Sequence, residues 1–152
     1  MDLRFTHPGT LSDQILKVLE RYWELKLPDP YRNFLLLNNG GEPKTSYFSF
    51  KNGNGGSDVR FFLGIYPDKD NDLLNHLKIY KGRLPQNVFP IAYDSGGNLI
   101  LISVKGPDRG KVYFWDHEME SGEGEEPDYS NLTLIADSFT EFIENLKDES
   151  EI

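Results

Sequence analysis

Between Leu27 and Gly41 the chain spells out both ends of a short helix: Leu27-Pro28-Asp29-Pro30-Tyr31-Arg32-Asn33-Phe34-Leu35-Leu36-Leu37-Asn38-Asn39-Gly40-Gly41. Pro30 suits a first helical turn, where the N–H it lacks would have no partner within the helix, and Asp29 can cap that turn. Tyr31, Phe34, Leu35 and Asn38 recur at i, i+3, i+4 and i+7 and so share one face. Asn39-Gly40-Gly41 tolerates positive φ and stops the helix. A helix this short is marginal alone, so its aromatic face must be held against a larger element.

The larger element is legible downstream. Val88-Phe89-Pro90-Ile91-Ala92-Tyr93 and Asn98-Leu99-Ile100-Leu101-Ile102-Ser103-Val104 read as strands joined through Asp94-Ser95-Gly96-Gly97. Pro107-Asp108-Arg109-Gly110 turns the chain into a third, Lys111-Val112-Tyr113-Phe114-Trp115. Connections this short demand an antiparallel meander. Tyr47, Phe48 and Phe50 suggest a further strand, residues 51–58 a loop, and Val59 to Tyr66 another strand.

Helices are expected at both chain ends. Residues 11–25 have the amphipathic pattern, with Ile15, Val18, Leu19 and Tyr22 as the expected buried face and Thr10 and Asp13 at the start. Asp70 to Tyr80 carries Leu73, Leu74, Leu77 and Tyr80 on one side. Near the C-terminus Ser138 and Glu141 form a capping box ahead of Phe139, Phe142, Ile143 and Leu146. The fold class is therefore α+β, a mainly antiparallel sheet flanked by helices. At 152 residues, with no linker or repeat, one domain over 1–152 is expected.

Charge divides the chain. Residues 1–111 hold 15 Lys+Arg against 12 Asp+Glu, whereas residues 112–152 hold Lys147 against 13 acids. The densest part is Asp116, Glu118, Glu120, Glu123, Glu125, Glu126 and Asp128, in a stretch with no periodic apolar pattern that reads as a long exposed loop. Nucleic-acid binding and membrane-surface attachment both need the opposite sign, so neither is expected. A charge-guided partner is a basic protein. The chain has no Cys, which removes disulfides, thiolate metal sites and cysteine nucleophiles and fits a reducing compartment. No apolar run follows Met1-Asp2-Leu3-Arg4-Phe5-Thr6-His7-Pro8, so no secretory signal is expected and a cytoplasmic location is.

Taken in order, four blocks resemble the SUKH superfamily, in the branch named for a yeast regulator of cell-wall glucan synthesis. They are Leu27-Pro28…Tyr31…Phe34-Leu35…Asn39-Gly40-Gly41; Phe89-Pro90-Ile91-Ala92-Tyr93-Asp94…Gly96-Gly97; Gly110-Lys111-Val112-Tyr113-Phe114-Trp115-Asp116-His117-Glu118; and Ile135-Ala136…Ser138-Phe139…Glu141-Phe142. The resemblance implies an α+β fold and a non-catalytic, protein-binding role. For a bacterial-type member it implies an immunity protein that neutralises a cognate toxin. For a fungal-type member it implies a regulatory adaptor of wall-polysaccharide synthesis. The absence of long flanking segments favours the compact bacterial type.

The remaining motifs each fall short of a chemical signature. Asp68, Asp70 and Asp72 alternate as in a calcium loop, but Leu73 and Ile79 stand where that loop needs Gly and Glu. Gly53-Asn54-Gly55-Gly56 lacks the Lys-Ser/Thr ending of a phosphate cradle and leads into a strand, so a flexible connection is expected. His7, His76 and His117 are far apart, none in a two-histidine metal spacing. No Gly-x-Ser-x-Gly elbow is present. No catalytic residue, metal or cofactor is thus assigned. The partner-binding candidates are Trp115, Asp116, Glu118, Glu120, Glu123, Glu125, Glu126 and Asp128: the acids to steer a basic, nuclease-like toxin, and Trp115, if exposed, as its anchor. The alternative for Trp115 is that both faces of its strand are covered.

Overall fold

The computed structural model describes residues 3–5, 11–66, 70–120, 122 and 125–151. Thr10, His7, Asp68 and Glu123, named above, lie outside them. In chain order the strands are β1 (Leu3–Phe5), β2 (Glu42–Pro43), β3 (Tyr47–Ser49), β4 (Gly56–Asp58), β5 (Phe61–Phe62), β6 (Val88–Tyr93), β7 (Leu99–Ser103), β8 (Val112–Trp115) and β9 (Leu132–Ala136). The helices are α1 (Asp13–Trp23), α2 (Asp29–Asn38), α3 (Leu73–Ile79) and α4 (Phe139–Glu144). Strands β5-β6-β7-β8-β9 form one antiparallel sheet in sequential order, and β1-β2 and β3-β4 are separate two-stranded ribbons.

The sheet is covered on both faces, as its apolar runs require. Along β7, Ile100 and Ile102 point to the main core while Leu99 and Leu101 enter a second cluster with Trp115. The main core receives Leu16 from α1, Tyr31, Phe34 and Leu35 from α2, and Phe139 and Phe142 from α4. The second cluster is roofed by Tyr80 and Leu84, which follow α3. Pro90, which cannot donate to a ladder, sits where the β6–β7 register shifts between Pro90 and Ala92. The Ile91 carbonyl there accepts from Leu63 N at 3.0 Å instead.

The Leu27–Gly41 segment behaves largely as expected. Asp29 lies inside the first turn, where it favours the helix dipole, and Pro28 takes the cap position with no side-chain bond. Asn39 and Gly40 both take positive φ, 50° and 82°. The buried Asn39 side chain then accepts from Ile65 N at 2.7 Å and donates to Ile65 O at 3.1 Å. Gly41 and Phe62 exchange backbone bonds at 3.0 and 2.7 Å. A Cβ on Gly40 would stand 2.5 Å from the Phe62 carbonyl oxygen, so only glycine lets α2 close onto β5. The motif is a clasp between helix and sheet.

Several expectations are corrected. On α1, Ile15, Val18 and Tyr22 are exposed, and the buried residues are Leu16 and Glu20. The reason is tertiary: Glu20 accepts from Leu27 N at 2.8 Å and from Arg32 Nε at 2.9 Å, turning a charged residue inward. The Val59–Tyr66 run is broken, with β5 reduced to Phe61–Phe62. Part of the expected 51–58 loop is strand β4, paired to β3 with Phe48 opposite Ser57. Helix α3 starts later, capped by Asp72, whose side chain accepts from Leu74 N at 3.3 Å. The capping box is half formed. Ser138 Oγ accepts from Glu141 N at 3.1 Å, but the Glu141 carboxylate turns away to Lys51 Nζ at 2.6 Å.

Candidate partner-binding surface

The acidic stretch connects β8 to β9, and its two ends are drawn together rather than splayed. Asp116 N donates to Asn131 O at 3.3 Å, and Asn131 Nδ2 donates back to Asp116 O at 3.1 Å. Asn131 is buried, so this closure is shielded from water. Just inside it, Asp116 Oδ1 accepts from Glu118 N at 3.0 Å and starts a 3-10 turn over His117–Met119.

The turn rests on the β6–β7 connection. His117 N donates to Asn98 Oδ1 at 3.0 Å, and Asn98 Nδ2 donates to Asp94 Oδ2 at 3.0 Å. Asp94, buried, also accepts from Gly96 N at 2.9 Å, Asn98 N at 2.7 Å and Ser57 Oγ at 2.7 Å. A buried carboxylate is tolerated only with its lone pairs filled, and here four donors fill them. The blocks Asp94…Gly96-Gly97 and Asp116-His117-Glu118, apart in sequence, form one hydrogen-bonded foundation.

A second tether crosses from the loop to the segment after α3. Glu120 is paired with Arg83, Nη2 to Oε1 at 2.8 Å and Nε to Oε2 at 3.3 Å. The pair holds Arg83 firmly protonated, the hydrogen bond to Glu120 being the largest cause. Its guanidinium lies 4.5 Å above the Tyr80 ring and 6.0 Å from that of Trp115. Tyr80 meets Trp115 edge-on at 5.7 Å, and His76 stacks on both Tyr80 and Tyr93. Farther along, the Tyr129 hydroxyl donates to the Gln86 carbonyl.

Trp115 is therefore fully buried, beneath Tyr80 and Arg83, and is not an exposed anchor. The alternative holds: both faces of β8 are covered, with Tyr113 half-buried. The acids divide by task. Asp116 and Glu120 hold the loop, and Asp128 accepts from Ser130 N at 2.9 Å and Ser130 Oγ at 2.5 Å. Those bonds hold the Asp128 carboxyl below its ordinary range, the hydroxyl being the larger cause. Glu118, Glu125 and Glu126 are exposed, and Glu125 bonds to Gly122 inside the loop, its carboxylate accepting from Gly122 N at 3.3 Å and its N–H donating to Gly122 O at 3.0 Å. Met119 and Tyr129, 65% and 52% exposed, put apolar surface among them. Sequence reasoning missed Arg83, Asn98 and Asn131, single polar residues whose roles exist only across strands.

Among the described residues no group of three or more His, Asp or Glu is placed to hold a metal, and no helix is long and apolar enough to cross a membrane. Comparison with known proteins bears on the role. Residues 10–145 match the model of the SMI1 / KNR4 family (SUKH-1). The chain is also 32% identical over 159 residues to the SPbeta prophage-derived uncharacterized protein YokK of Bacillus subtilis (strain 168), covering 94% of this chain and 78% of that one. No solved structure matches.

Proposed function

The chain belongs to the SMI1 / KNR4 family (SUKH-1), and on that premise we propose that it is a non-catalytic, cytoplasmic immunity protein that neutralises a cognate toxin by covering it. The observation that carries this reading is the clamped acidic loop. Its base is fixed by Asn131 and Asn98 and its Glu120 by Arg83, while Glu118, Glu125 and Glu126 stay open to solvent. Exposed carboxylates held near one another by these tethers give a dense negative field. Such a field speeds encounter with a basic surface by roughly 10–10³-fold and weakens with salt. Met119 and Tyr129 supply the short-range contact that Trp115 does not. The prophage origin of the similar Bacillus subtilis protein supports a mobile-element setting, in which the toxin gene is sought beside this one.

Co-expression with the product of the neighbouring gene, scored for survival and for an isolable complex, tests the reading. Protection with a stable complex is expected. Absence of both, together with a wall defect on deletion, would overturn it in favour of a regulatory adaptor of wall-polysaccharide synthesis.

A further inference from the structure

The loop joining β3 to β4, Lys51-Asn52-Gly53-Asn54-Gly55-Gly56, is unused by the function proposed above. It contains two of the chain's three Asn–Gly pairs, the third being Asn39–Gly40. We propose that Asn54 is a site of spontaneous modification, by deamidation through a succinimide, and that the fold protects the other two pairs.

The reaction needs only water. The Gly55 backbone nitrogen gives up its proton and attacks Cγ of Asn54, forming a new C–N bond. The bond from Cγ to the side-chain nitrogen breaks, and ammonia leaves with that proton. Water then opens the five-membered ring at either carbonyl, giving aspartate or isoaspartate. Ammonia is lost, water is gained, and nothing is oxidised or reduced. Glycine on the C-terminal side removes the Cβ that would obstruct ring closure, so each Asn–Gly pair is intrinsically susceptible. What differs is whether the side-chain amide and the following N–H are free to meet.

At Asn39 they are not. The side chain is 5% exposed, both its polar atoms are bonded to Ile65, and Gly40 is packed against the Phe62 and Leu63 carbonyls. At Asn52, Oδ1 accepts from Asn54 N at 2.8 Å, and Gly53 N donates to Phe50 O at 3.0 Å. Attack there must break both bonds. At Asn54 neither restraint exists among the described residues: its side chain is exposed and unbonded, and the Gly55 N–H has no acceptor. The nearest atoms a Cβ on Gly55 would meet are in the Phe50 ring at 3.6 Å, leaving the approach open. The groups engaged there, the Asn54 N–H on Asn52 Oδ1 at 2.8 Å and the Gly55 carbonyl on Phe50 N at 2.8 Å, are not the two that react. Isoaspartate at 54 lengthens the backbone inside that closure, against the β3–β4 register of Ser49 opposite Gly56.

Incubating the folded full chain in warm, mildly alkaline buffer and following peptides by mass spectrometry tests this. Asn54 is expected to convert at least about tenfold faster than Asn52, the ratio set by the hydrogen bonds that Asn52 and Gly53 must break. Asn39 is expected to stay intact. In urea the two loop sites should react at comparable rates, and Asn39 should react too. Asn54→Gln should remove the leading product without changing the near-ultraviolet circular dichroism. Equal rates at 52 and 54 in the folded chain, or Asn39 reacting first, would overturn the proposal.

Discussion

Replacing Asn39 by alanine removes the clasp between α2 and the sheet without introducing bulk. Two hydrogen bonds are lost, to Ile65 N at 2.7 Å and Ile65 O at 3.1 Å, at a position 5% exposed. At about 1 kcal/mol net for each bond the loss is about 2 kcal/mol. Alanine must also hold φ near 50°, a left-handed conformation that costs it about 1 kcal/mol. The expected total is about 3 kcal/mol, a large share of the ~5–15 kcal/mol that holds a domain folded. Asn39→Gly loses the same bonds but is free of the left-handed penalty, so its loss should be about 2 kcal/mol. Urea titration should show both midpoints falling with unchanged slope, alanine further than glycine. Thermal midpoints should follow, falling by about 2–4 °C for each kcal/mol at this size. An alanine variant within about 0.5 kcal/mol of the parent, or a glycine variant no better than alanine, would refute the clasp.

Glu20→Ala leaves Arg32, mostly buried, without its inward partner and Leu27 N without an acceptor, so it should cost about 3 kcal/mol. Combined with Arg32→Leu, the loss should be smaller than the sum of the two singles by at least about 1 kcal/mol, as a double-mutant cycle will show. The Tyr31 hydroxyl is buried with no hydrogen-bond partner among the described residues, so Tyr31→Phe should leave stability unchanged or raise it by up to about 1 kcal/mol. Burial pushes the Tyr31 phenol above its ordinary 10.0, so the folded state keeps its proton where the unfolded chain loses it. Stability is then intact below pH 10 and declines above it. Tyr31→Phe should lessen that decline by about 1.4 kcal/mol per pH unit, measured by urea titration through the alkaline range. In a Trp23→Phe variant, emission from Trp115 alone should be blue-shifted and shielded from iodide. Red-shifted, freely quenched emission would place Trp115 in solvent.

What was legible in the sequence was what local physics decides. Pro30, Asn39 and Gly40 mark helix ends because φ preferences act within a few residues, and the β6–β7–β8 meander follows from short Gly- and Pro-containing connections. Tertiary pairing decided the rest. Periodicity puts Ile15, Val18 and Tyr22 on the inner face of α1, but Arg32, from the next helix, draws Glu20 inward instead. Strand periodicity places Trp115 opposite Phe114 but does not say that Tyr80 and Arg83 cover it. The Val59–Tyr66 run is apolar enough for one strand. Yet Arg60 N is taken by Tyr93 O at 2.8 Å and Val59 N by Ser46 O at 2.8 Å, dividing it between two sheets. The acids of the β8–β9 loop are visible as composition. Their division into those that hold the loop and those that face solvent depends on Arg83, Asn98 and Asn131, which carry no pattern of their own.

The central claim is that exposed carboxylates on a tethered loop grip a basic protein. Its most direct measurement is the association rate with the neighbouring gene's product across a range of salt, for the parent chain and an E118Q/E125Q/E126Q variant. The account predicts fast association that slows at least about tenfold from low to high salt, and a variant slower at low salt with a shallower salt slope. A complex whose rate and salt slope are the same in the variant, or no complex at all, would contradict it.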